Sequence, residues 1–105
     1  MKLWTVWLDY LATGEGRTKM ACVVQAEDEF AAIEAFQAKF GEYFAHGCQA
    51  QEGLLRNPVT KHLFSKAALD ALEEASAKGK VEAFASAYTE FNATGQKDLL
   101  GSYTE

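Results

Sequence analysis

The chain has 105 residues, 49% of them hydrophobic, and fifteen acids against ten bases give a net charge of −5. That length suits one domain around one core, and the apolar fraction excludes a disordered chain. No apolar run reaches the roughly 18 residues a membrane-spanning helix needs, and two arginines, Arg17 and Arg56, offer little grip on phosphates or base edges.

The first predicted element is a strand over 3–11, rich in aromatic and β-branched residues. Trp4, Val6, Leu8 and Tyr10 form an apolar face. Leu3, Thr5, Trp7 and Asp9 form a half-apolar one, a pattern that suits a central strand. The turn segment Thr13-Gly14-Glu15-Gly16-Arg17 leads into a second strand over 18–26, with Met20, Cys22 and Val24 on one face and Lys19, Ala21, Val23 and Gln25 on the other. The two strands make a hairpin. Gly14-Glu15-Gly16 has the glycine spacing of a phosphate loop, but it runs into a strand where a dinucleotide loop would open a helix.

Glu27-Asp28-Glu29 opens a helix, its acids complementing the macrodipole. Phe30, Ile33, Phe36 or Gln37, and Phe40 recur at helical spacing up to Gly41, a helix-ending glycine. A third strand is predicted over 43–51, with Phe44, His46, Cys48 and Ala50 on one face and Gly47 marking a bulge or a close backbone approach. Residues 53–60 read as a loop in which Pro58 pushes Asn57 away from helix geometry. Ser65 caps a helix over 66–78 whose inner stripe carries Leu69 and Leu72. A last helix over 80–92 is read from Val81, Phe84, Ala85, Tyr88 and Phe91, and the tail from about residue 96 is irregular.

The order ββαβαα defines an α+β domain spanning the chain: a three-stranded sheet in order 2-1-3, strand one central and antiparallel to both neighbours, packed with three helices. The first helix covers the Trp4, Val6 and Leu8 face. The opposite face, assigned Leu3, Trp7, Ala21, Val23, Tyr43 and Ala45, is too apolar to stay bare. Either the C-terminal helix pair covers it, or a partner or second copy does, making a homodimer.

Candidate chemistry is sparse. With no leader-like apolar stretch the chain reads as cytoplasmic, where Cys22 and Cys48 stay reduced. His46 and Cys48, two apart on a strand, point the same way; with Cys22 they could begin a thiolate or zinc site, but no CxxC or HxxxH spacing supports one. Core packing is the expectation for the cysteines, and no catalytic residue, metal or cofactor is assigned. Asp9 is expected to pair with Arg17 or Lys19 across the hairpin. The acid-free run 54–66, with Arg56, Lys61 and Lys66, reads as a solvated loop or an anion contact. The aromatic concentration of Trp4, Trp7, Tyr10, Tyr43 and Phe44 lacks the basic flanks of a base-stacking sheet, which disfavours nucleic acid and favours a protein partner.

Two functional expectations follow. The first is a small, acidic, non-enzymatic protein-binding module, built like accessory inhibitors of the anti-restriction, anti-CRISPR or immunity type. It would block a basic surface on its partner, with Glu27, Asp28, Glu73, Glu74, Trp7 and Tyr43 as contacts. The alternative is a small dimeric enzyme or ligand-binding domain with a pocket between sheet and helices, using His46, Cys48 and Asp9.

Overall fold

The structure is a computed structural model and describes residues 1–12 and 16–90. Strands β1 (Lys2–Ala12) and β2 (Gly16–Ala26) form the expected antiparallel hairpin, in a register running from Lys2 opposite Ala26 to Ala12 opposite Gly16. The turn residues 13–15, the end of the last predicted helix at 91–92 and the predicted irregular tail lie outside the described residues.

Helix α1 (Glu29–Phe40) starts where the acids predict. Asp28 is its N-cap and accepts from the Ala31 N–H at 2.9 Å, and Gly41 ends it at φ 112°, donating to the Gln37 carbonyl. Its inner stripe differs from the expected one. Ala32 and Phe36 are buried and Phe40 half-buried, whereas Phe30 faces outward at 77% exposure. Spacing explains the correction: Ala32, Phe36 and Phe40 follow one another at four-residue steps, while the fourth residue after Phe30 is the exposed Glu34.

The predicted third strand splits in two. Residues Glu42–Ala45 form a single helical turn, α2, and only β3 (Gln49–Glu52) is extended, pairing antiparallel with β1 from Trp4 to Trp7. Of the face predicted for this strand, Phe44, Cys48 and Ala50 pack against the core, though only Ala50 does so from a strand, and His46 is exposed; Tyr43 does not lie on the opposite face of the sheet. It projects from α2 beside Leu8. The close approach at Gly47 is real, since a Cβ there would sit 3.3 Å from Leu8 Cδ1.

The predicted loop contains a helix. Asn57 is extended, as a residue before proline should be, and caps α3 (Pro58–Leu63) through a box. Its side chain accepts from the Thr60 N–H while the Thr60 hydroxyl accepts from the Asn57 N–H, both at 2.9 Å. Helix α4 (Lys66–Ser76) follows, capped by Ser65 as expected.

The larger correction concerns 80–92. Residues Glu82–Glu90 form a strand, β4, antiparallel to β2 from Gly16 opposite Glu90 to Val24 opposite Glu82. Alanine-rich sequence favours a helix in isolation, but here alternation places Phe84 over the core beside Cys22 and the small Ala83, Ala85 and Ala87 on the other face, where α3 passes. Among the described residues the architecture is α+β, with an antiparallel four-stranded sheet in order β3-β1-β2-β4 and four helices, rather than three strands and three helices. The expected order 2-1-3 is retained within it.

One layer is apolar. Val6, Leu8, Met20, Cys22, Val24 and Ala26 of the sheet pack with Ala32 and Phe36 of α1, ringed by the half-buried Trp4, Phe40, Phe44 and Phe84. The opposite face is covered by the chain itself, chiefly by α3, which packs on β1, β2 and β4; of the helix pair expected there, the first is α4 and the second is instead the strand β4. Thr5, Ala21 and Val23 there are fully buried, which leaves a second copy no bare sheet at these residues. Polar anchors fasten this layer. Thr5 Oγ1 donates to the Gly53 carbonyl at 2.7 Å and accepts from the Leu55 N–H at 2.9 Å, and Gln25 Oε1 accepts from the Val81 N–H at 3.0 Å. No helix among the described residues is long and apolar enough to cross a membrane.

Candidate functional site

The outer surface of the first helical layer begins with a sequence of acids. Glu27, Asp28, Glu29, Glu34 and Glu42 are all exposed, and Lys39 is the sole base between residues 27 and 45. The acids leave the core because α1 spends its inner stripe on Ala32 and Phe36. Two large aromatic side chains stand out among them: Phe30, and Tyr43 at 64% exposure. Tyr43 meets Phe44 edge-to-face, with ring centroids 5.2 Å apart and planes at 77°. Behind this pair lies an apolar pocket of about 250 Å³ lined by Leu8, Tyr43, Phe44, His46 and Gly47.

Of the sequence-predicted contacts, the fold thus gathers Glu27, Asp28 and Tyr43 on one helical layer. It does not bring Glu73, Glu74 or Trp7 to them. Trp7 belongs to the opposite sheet face and is half-buried, and the two glutamates lie on α4 in the other layer. Sequence reasoning missed Phe30, although Glu34 one turn later was a legible sign that it faces water.

The His46 and Cys48 pair does not survive folding. His46 sits exposed in the turn after α2, while the Cys48 thiol donates to the Ala45 carbonyl at 3.2 Å. Burial raises the Cys48 pKa above its ordinary value of 9.0. Burial also pushes the Cys22 thiol, on the core face, up to about 12. Thiols held protonated are poor nucleophiles and poor metal ligands, and among the described residues no group of three His, Cys, Asp or Glu side chains is placed to hold a metal ion. Asp9 is engaged as expected, 3.4 Å from Arg17 Nε across the hairpin.

The three cations singled out in the acid-free run, Arg56, Lys61 and Lys66, do converge. They line one pocket of about 420 Å³ together with Phe64 and Leu69. Arg56 leads into the α3 cap, Lys61 projects from α3 and Lys66 opens α4, so the α3–α4 corner sets their convergence. Acids on the next turns of α4, which the run itself does not contain, partly neutralise them. Arg56 Nη2 donates to Asp70 Oδ1 at 2.6 Å and to Glu73 Oε1 at 3.1 Å, and Lys66 Nζ donates to Asp70 Oδ2 at 3.0 Å. The hydrogen bond from Lys66, then that from Arg56, holds Asp70 below the ordinary carboxylate pKa; Asp70, then Glu73, keeps Arg56 firmly protonated.

Compared with protein-family models, curated proteins and solved structures, the chain matches none, so its own geometry carries the functional reading.

Proposed function

We propose that the chain is a non-enzymatic protein-binding module that docks the outer surface of α1 and α2 on a basic surface of another protein. The observation supporting this most directly is the pair of exposed aromatics, Phe30 and Tyr43, set among five exposed acids with one lysine. Aromatic anchors contribute most of the affinity of an interface, and clustered like charge steers and selects a partner of opposite sign. A small acidic domain of this build acts by covering its target, as accessory inhibitors of the anti-restriction, anti-CRISPR or immunity type do.

The test starts from the complex that native mass spectrometry detects after incubation in source lysate, rebuilt from the purified partner. Glu29→Lys with Glu34→Lys should slow association and flatten its salt dependence. Phe30→Ala, at a side chain that contributes nothing to the core, should speed dissociation by about tenfold or more. A complex indifferent to all three changes sinks the proposal, as does a partner whose contacting surface is acidic.

A further inference from the structure

The pocket at the α3–α4 corner lies across the sheet from the surface just described and joins two kinds of lining. Phe64 and Leu69 are apolar, Leu69 being almost wholly buried at 1% exposure, while Arg56, Lys61 and Lys66 place three cations around the same space. At about 420 Å³ it falls in the range of small-molecule sites. Its charge is countable. Asp70 and Glu73 bind Arg56, and Asp70 also binds Lys66, so three cations face two carboxylates and one positive charge is left over. The uncompensated cation is Lys61, which forms no ion pair among the described residues and is exposed on α3. Arg56 spends only Nη2 on the two acids, leaving the donors on Nη1 and Nε for an incoming acceptor.

We propose that this pocket binds a small organic monoanion, a carboxylate carried on an apolar body. Lys61 and the remaining Arg56 donors hold the carboxylate, and the body packs on the half-buried Phe64, over the buried Leu69. The carboxylates on α4 do two things. They hold Arg56 in one orientation at the rim, which removes part of the entropy cost of binding. They also lower the local charge to that of a single anion, so a dianion such as a phosphate monoester meets Asp70 and Glu73 without a cation to offset its second charge. The site draws on no residue of the α1–α2 surface, so either proposal can fail without the other.

The experiment is an amide-shift NMR titration of the full chain with octanoate, with octan-1-ol and octyl phosphate as comparison ligands. Octanoate should shift the amides of Lys61, Phe64, Lys66 and Leu69 and leave those of α1 in place. Octan-1-ol, lacking the charge, should bind about tenfold more weakly, the worth of one charge-assisted contact. Lys61→Glu, at an exposed side chain that carries no structural bond, should weaken octanoate by at least about the same factor. An unchanged thermal midpoint would show that variant to be folded, and Lys61→Met supplies a milder second variant with the same expected direction. Equal binding of octan-1-ol, tighter binding of octyl phosphate, shifts confined to other regions, or octanoate affinity unchanged in both Lys61 variants would each overturn the proposal.

Discussion

On one side of the sheet, Phe36 and Ala32 of α1 meet Val6, Leu8, Met20, Cys22 and Val24; on the other, Thr5 and Gln25 reach out of the sheet to hold the backbone of the segments around α3 and α4. The first layer is held by apolar area, which is non-directional and tolerates small shifts. The second has fewer buried apolar groups, chiefly Ala21, Val23, Val59 and Leu69, and adds hydrogen bonds that fix position. Such bonds contribute little net stability but are costly to leave half-made. The division matches the uses proposed for the two sides. A broad docking surface rides on an oily layer, while a pocket whose charged groups must keep their places is pinned by polar anchors.

The hardest blow to the apolar layer is Phe36→Ala. This side chain is fully buried and packs on Phe40 at 4.9 Å between ring centroids, so its loss should cost about 3–5 kcal/mol, read as a lower denaturant midpoint for the whole fold. A cost under about 1 kcal/mol would mean that α1 contributes far less to the core than this packing implies. On the other side, Thr5→Val keeps the shape of a fully buried side chain and strips its hydroxyl, leaving the Leu55 N–H and the Gly53 carbonyl without partners. The expected loss is about 1–3 kcal/mol. Hydrogen exchange should accelerate in residues 53–63 more than in α1. Uniform acceleration would erase the distinction between the layers.

Alkali separates them more gently. Cys22 has its folded pKa raised from 9.0 to about 12 by burial, so its contribution is complete below pH 9 and drains away as pH rises toward 12. Cys22→Ala should therefore lose less stability than the parent across that window, whatever its stability at neutral pH. Parallel alkaline profiles for the two proteins would show that the buried thiol is not what titrates.

The apolar layer was legible in the sequence because its signals are strong and local. Trp4, Val6 and Leu8 alternate against Met20, Cys22 and Val24, and Asp28 and Gly41 punctuate the helix between. The polar layer was not. Asn57-Pro58 followed by Thr60 is a helix start readable on inspection, but proline alone suggested a loop. Over 82–90, small alanines satisfy a helical pattern and a strand pattern equally well, and the unpaired edge of β2 decides between them. The same limit applies to the sites. Arg56, Lys61 and Lys66 stood out as a charge run, but the corner that points them into one pocket, and the acids Asp70 and Glu73 that tune it, belong to tertiary structure.

The sheet order has a consequence for the chain as it is made. β2 is complete at Ala26, but the strand that covers its outer edge begins at Glu82. At about 5–20 residues per second, a ribosome leaves that edge open for several seconds. Arg17 and Lys19 guard its first half with charge, whereas Met20 to Val24 has none. The nascent protein is most vulnerable to edge-to-edge association in that interval, and β4 closes the opening as it emerges.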